Sequence, residues 1–215
     1  MKEGREASIE TRVISATFLA GAVDAASLPP PTSLEIAFAG RSNVGKSSLL
    51  NGLMQRHSLA RTSATPGCTR QINVFDVHFA DGLVLHFVDL PGYGWARRSK
   101  TERSQWQGMI EGYLRNRVSL RAVVLLVDVR RGLEEEELQL IEFMSSKRWV
   151  GEKRPVEFVL VATKIDKLPA SARKRALDAV RMGAEEAGIR GVVGFSAVTG
   201  DGREVLCARL RRVAL

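Results

Sequence analysis

The stretch Leu34-Glu35-Ile36-Ala37-Phe38-Ala39-Gly40-Arg41-Ser42-Asn43-Val44-Gly45-Lys46-Ser47 decides the fold. It opens on an apolar run with strand character, and Gly40 to Ser47 fit the phosphate-cradling pattern G-x-x-x-x-G-K-[ST]. Glycines let successive backbone N–H groups turn inward on a nucleotide's phosphates, and the helix that follows presents its positive end. Lys46 is expected to reach the terminal phosphates and Ser47 to offer its hydroxyl to Mg2+. Arg41, Ser42, Asn43, Val44 and Ser48 complete the expected cradle.

Further strand-like runs follow at Ile72 to Phe79, Leu83 to Val88, Ala122 to Val127, Val156 to Val161 and Gly191 to Phe195. Helical patterns lie between most of them. From Ser99 to Arg117, the apolar residues Trp106, Met109, Ile110, Tyr113 and Leu114 keep 3-and-4 spacing. Glu134 to Glu137 after Gly132 suit the electropositive start of a helix, and further helices are expected over about Ala170 to Glu186 and Gly202 to Val213. Strands alternating with helices predict an α/β domain, a mainly parallel sheet with helices on both faces. Asp81-Gly82 marks a tight hairpin, so Ile72 to Phe79 should be the antiparallel edge strand of a six-stranded mixed sheet. Leu28-Pro29-Pro30-Pro31-Thr32 reads as an extended linker, which makes residues 1–31 a loosely held extension and 32–215 the folded domain.

Three later motifs carry chemistry. Asp89, ending the run Leu85 to Val88, can hold Mg2+ through water, and the Gly92 N–H in Asp89-Leu90-Pro91-Gly92 is placed to meet a terminal phosphate. In Thr163-Lys164-Ile165-Asp166, the carboxylate can accept both the ring N–H and the exocyclic amine of guanine, while the Lys164 stem lies along the base. In Phe195-Ser196-Ala197 the Ala197 N–H can meet the guanine carbonyl. The polar segment 61–70 contains Pro66-Gly67-Cys68-Thr69, and one of its threonine hydroxyls should complete the Mg2+ shell when the third phosphate is present. Thr69 is chosen as nearest the following strand, ahead of Thr62 and Thr65.

Taken together, Gly40 to Asn51, Pro66 to Thr69, Asp89-Leu90-Pro91-Gly92-Tyr93-Gly94, Thr163 to Asp166 and Ser196-Ala197 resemble the bacterial EngB GTPases of the translation-factor-related class. The resemblance runs from about Phe18 to the last helix. It implies a Ras-like P-loop fold, binding of GTP and GDP with Mg2+, and hydrolysis in which Lys46, Thr69 and Gly92 act directly. It also implies a switch role in assembling the large ribosomal subunit, some members being linked to cell division or septation. Where Ras-type switches carry a water-orienting glutamine, this chain has Tyr93, so unaided hydrolysis should be slow. Related GTPases with asparagine at the position of Asn43 look potassium-dependent, which makes K+ a further expected cation. A loop-stabilising hydrogen bond is the other reading of Asn43.

The chain has 215 residues, 45% hydrophobic and 26% charged, enough for one domain with a continuous core. A net charge of +8 favours polyanions, ribosomal RNA among them, although a merely basic surface would read the same way. Arg97-Arg98-Ser99-Lys100 beside Trp95, Arg173-Lys174-Arg175 with Arg181, and Arg203, Arg209, Arg211 and Arg212 form three basic clusters. The first adjoins the second switch, where nucleotide state could regulate RNA docking through Trp95 to Lys100, and solvated helix faces would explain the second and third equally well. Cys68 and Cys207 lack pairing or metal-ligand spacing and read as free thiols. The mildly apolar Val13 to Leu28 is punctuated by Ser15, Thr17, Gly21 and Asp24, which argues against a secretion signal. No run of about 18 apolar residues exists to span a membrane. A cytoplasmic monomer without a membrane partner is therefore expected. The rival readings are a nucleotide-gated scaffold for a division partner and an ATP-dependent enzyme; Asp166 discriminates against the latter.

Overall fold

The computed structural model describes residues 12–60, 71–93, 100–145 and 156–214; over 100–103, 105–107 and 143–145 it describes the backbone alone. Seven strands and five α-helices lie within these segments. The strands are β1 (Val13–Ala22), β2 (Leu34–Gly40), β3 (Ile72–Phe79), β4 (Val84–Asp89), β5 (Leu120–Asp128), β6 (Glu157–Thr163) and β7 (Val192–Gly194). The helices are α1 (Lys46–Met54), α2 (Lys100–Asn116), α3 (Glu135–Ser145), α4 (Ala170–Glu186) and α5 (Arg203–Ala214). Sheet order is β1-β3-β4-β2-β5-β6-β7, with β3 antiparallel to both neighbours and the remaining ladders parallel.

The central strands are apolar on both faces because both faces are covered. On β2, Ile36 and Phe38 join Leu49, Leu50 and Leu53 of α1 and Leu206 and Leu210 of α5 in one core. Ala37 and Ala39 face the other core, with Ile110, Tyr113 and Leu114 of α2, Ile141 of α3, and Val180 and Ala184 of α4. A side-chain period of two on a single strand thus feeds two hydrophobic layers.

The expected sheet needs one correction: it has seven strands, and β3 is interior. Val13–Ala22, assigned above to a loosely held extension, pairs along the whole of β3 and takes the edge. Ser15, Thr17 and Gly21 blur its alternation, two irregularities interrupt its register, and Ile14, Phe18 and Leu19 are exposed. A strand hydrogen-bonded on one side only needs no continuous apolar run. The Asp81-Gly82 hairpin forms as expected, with Gly82 at φ 90° and the Phe79 N–H donating to the Leu83 carbonyl at 2.8 Å. Arg211 of α5 binds the Asp81 carboxylate, donating from Nη1 to Oδ1 at 3.1 Å, and lies over the Phe79 ring.

Register brings the working residues to one edge. Asp89 at the end of β4 sits opposite Phe38, and Asp128 at the end of β5 sits opposite Thr163 at the end of β6. At the other end of β2, the fully buried Glu35 accepts from the Tyr113 hydroxyl at 2.9 Å and from Arg117 Nε and Nη2 at 2.8–3.0 Å. A carboxylate this deep is tolerable only when paired and hydrogen-bonded. Among the described residues, no helix is long and apolar enough to cross a membrane. Cys207 is free and buried, and burial pushes its thiol up to about 11.

Candidate nucleotide site

The phosphate loop is shaped by what cannot fit there. A Cβ on Gly40 would come within 2.9 Å of Val44 Cγ1 and 3.1 Å of Leu126 Cβ, so the chain must leave β2 on a glycine. Asn43 at φ 65° and Gly45 at φ 104° adopt the left-handed backbone that closes the loop. Gly45 starts α1 with no side-chain cap of its own, and the N-terminus of such a helix suits an anion. Lys46, 8% exposed, pairs its ammonium with the carboxylate of Asp89, itself 3% exposed. Ser47 is half-buried beside Lys46, and Ser48 is exposed.

The chain after Asp89 runs back against this loop. The Leu90 N–H donates to the Phe38 carbonyl at 3.1 Å, the Tyr93 N–H to Gly40 at 3.3 Å, and the Ser42 N–H to the Tyr93 carbonyl at 2.7 Å. A Cβ on Gly92 would meet the Ser42 backbone at 3.2 Å, so glycine is needed for that approach. Pro91 is buried in the same turn. The Tyr93 phenol is 3% exposed and donates to Glu137 Oε1 at 3.0 Å, while Glu137 Oε2 accepts from the Glu134 N–H at 3.0 Å. Arg41 binds Glu134 and lies 3.4 Å from Glu136. Burial and then Glu137 push the phenol well above its usual range, and burial raises the Glu137 carboxyl.

The base-side motifs converge on the same loop. Thr163 Oγ1 donates to the Val44 carbonyl at 2.7 Å, with the Val127 carbonyl also in reach at 3.0 Å. Lys164, at φ 60°, donates from Nζ to the Asn43 carbonyl at 2.6 Å. Ile165 is buried, and its N–H reaches the Phe195 carbonyl at 3.4 Å. Ser196, fully buried, donates its hydroxyl to Asp166 Oδ1 at 2.7 Å and accepts from the Val198 and Thr199 N–H groups at 3.2 and 3.1 Å. That hydroxyl holds the Asp166 carboxyl below the usual carboxylate range. Ala197 is exposed next to it.

The residues from Gly40 to Ser48, Asp89 to Gly92, Thr163 to Asp166 and Phe195 to Ala197 are thus gathered at the carboxyl ends of β2, β4, β6 and β7. Pro66, Gly67, Cys68 and Thr69, with Thr62 and Thr65, lie outside the described residues, as do Trp95, Arg97, Arg98 and the Lys100 side chain. The Asn43 carboxamide makes no hydrogen bond among the described residues, and asparagine's tolerance of positive φ already accounts for its presence. Sequence reading missed Asp128 and the second role of Glu137. Asp128 ends an apolar strand as Asp89 does; nothing local set Glu137 apart from the acidic run around it.

A phosphate loop, a strand-end aspartate facing its lysine and a Thr-Lys-x-Asp loop on a doubly wound sheet define a P-loop GTPase. Residues 35–164 match the family described as the 50S ribosome-binding GTPases. The chain is 45% identical over 209 residues to the probable GTP-binding protein EngB of Anaeromyxobacter dehalogenans strain 2CP-C, covering 94% of this chain and 93% of that one. It is 42% identical over 193 residues to the EngB of Lacticaseibacillus casei strain BL23, covering 90% and 92%. The chain belongs to the EngB family of GTP-binding proteins, and so binds GTP and hydrolyses it. A crystal structure of a probable EngB superposes with a TM-score of 0.61 at 22% identity, covering 84% of this chain and 98% of that one. Era in complex with MgGDPNP and a 16S ribosomal RNA segment superposes at 0.66 and 21% identity, covering 85% and 57%. At these identities the likeness shows the fold.

Because the phenol is engaged with Glu137, Tyr93→Phe should cost about 1–2 kcal/mol in denaturant unfolding, the cost of leaving a buried acceptor unpaired. Single-turnover GTP hydrolysis should stay within about twofold of wild type; a tenfold fall would place the phenol in the chemistry.

Proposed function

We propose that this chain is a GTP-dependent switch in the assembly of the large ribosomal subunit, with slow hydrolysis until a partner completes the site. The observation that carries it is the convergence of Lys46, Ser47 and Asp89 with Lys164 and Asp166 around one phosphate loop, in a chain that matches a family of 50S ribosome-binding GTPases. The net charge of +8 supports a polyanionic partner such as ribosomal RNA.

In this reading the Asp166 carboxylate, oriented by Ser196, accepts from guanine, and Lys164 lies along the base. The Ala197 N–H meets the guanine carbonyl. The inward N–H groups of Gly40 to Ser48 hold the phosphates, and Lys46 exchanges Asp89 for the terminal phosphates as nucleotide enters. Among the described residues no three His, Cys, Asp or Glu side chains cluster as a metal site. The Ser47 hydroxyl and the Asp89 carboxylate would offer a divalent ion only oxygen donors, a set that fits Mg2+. Ser47, Asp89 through water and Thr69 would hold it, and it would neutralise charge on the phosphates. The Gly92 N–H meets the terminal phosphate, and Thr69 would add its hydroxyl to the ion when that phosphate is present.

Tyr93 supports slow unaided turnover, since its buried phenol has no means to orient water at the phosphate. A developing negative charge there needs added positive charge. The Asn43 carboxamide is exposed at the rim and would ligate K+, which would supply part of that charge.

Hydrolysis should run several-fold faster in potassium than in sodium buffer, and Asn43→Gly, which keeps the left-handed backbone, should remove the difference; equal rates in both salts overturn the potassium reading. Sedimentation with large-subunit particles should be strong with a GTP analogue and weak with GDP. Association that ignores nucleotide would favour a scaffold for another partner.

A further inference from the structure

Asp128 ends β5 beside the base loop, 7% exposed, and its carboxylate is heavily engaged. Arg130 donates to it from the backbone N–H at 3.1 Å, from Nε at 2.9 Å and from Nη2 at 2.6 Å. Lys164 Nζ stands 3.1 Å from Oδ2. Burial works against the charge, yet the bonds from Arg130 and Lys164 hold the carboxyl far below the usual range.

The two ligands of Asp128 differ in kind. Arg130 is a near neighbour with a half-exposed side chain, and its fork braces the turn after β5. Lys164 belongs to the nucleotide site, and the same ammonium donates to the Asn43 carbonyl of the phosphate loop at 2.6 Å. A lysine side chain is among the costliest to immobilise, and ordering it only on ligand binding would subtract from affinity. Asp128 does that ordering beforehand. With its ammonium held between a carboxylate and a phosphate-loop carbonyl, the Lys164 side chain is ordered before any base arrives.

We propose that Asp128 is a positioning residue for guanine nucleotides, acting on affinity through the Lys164 ammonium. This rests on the assignment of Lys164 to the base. Acting only through Lys164, Asp128 should lose its effect when Lys164 is absent, as expected of coupled neighbours.

The test is calorimetric titration of nucleotide-free protein with GDP, for wild type, Asp128→Asn, Lys164→Met and the double variant, with a melting curve for each. Asp128→Asn should weaken GDP binding about tenfold, Lys164→Met by at least as much, and the double variant no more than Lys164→Met alone. Arg130→Ala, at an exposed side chain, separates positioning from bracing. It leaves Lys164 its carboxylate, so GDP affinity should stay within about twofold even if melting shifts. Additive losses, or an Arg130→Ala loss as large as that of Asp128→Asn, overturn the proposal and leave the base-site assignment standing. If Lys164→Met binds GDP as wild type does, the base-site assignment itself fails and Asp128 falls with it. Should Asp128→Asn not fold, Asp128→Ser takes its place in the same cycle with Lys164→Met.

Discussion

The hydrogen bond from the Thr163 hydroxyl to the Val44 carbonyl joins residues 119 apart in sequence, and the site is organised around it. It fixes the middle of the phosphate loop to the end of β6. The next residue, Lys164, repeats the connection one peptide earlier in the loop, at the Asn43 carbonyl. A loop with left-handed residues at 43 and 45 has no regular ladder to satisfy its own carbonyls, so partners from another strand must do it. Because the residues supplying those partners also begin the loop proposed to hold the base, the two proposed subsites are tied together.

Electrostatics on the other flank follow from the same edge. Lys46 and Asp89 form a buried pair, which is tolerable only while both charges stay satisfied. In the proposed site, phosphate entering the loop would offer Lys46 a second anion and leave Asp89 available to a divalent ion. Arg41 and Tyr93 carry the arrangement outward to the acidic start of α3, through Glu134 and Glu137 respectively. The turn after Asp89 is therefore pinned at Tyr93 by backbone bonds to the phosphate loop and by its phenol.

Most of this was legible in the sequence because the carriers are short motifs with mechanical reasons. Gly40, Gly45 and Gly92 stand where a Cβ or a negative φ would not fit, and the strands behind them are buried on both faces and hence largely apolar. β1 was not legible, because an exposed edge strand with two register irregularities carries neither alternation nor a continuous run. Asp128 was missed for a different reason: its meaning comes from Lys164, 36 residues later, and only the β5–β6 register brings the two together. Glu137 looked like part of a helix-start acidic run, which it is, and its other oxygen serves Tyr93, 44 residues away.

Amide hydrogen exchange with and without GDP tests most directly whether the phosphate loop and the base loops form one site. GDP should slow exchange together in the peptides containing 40–48, 163–166 and 195–199, since the Thr163 and Lys164 links make them a single unit. Protection confined to 40–48, with the base loops exchanging as in the free protein, would contradict the account.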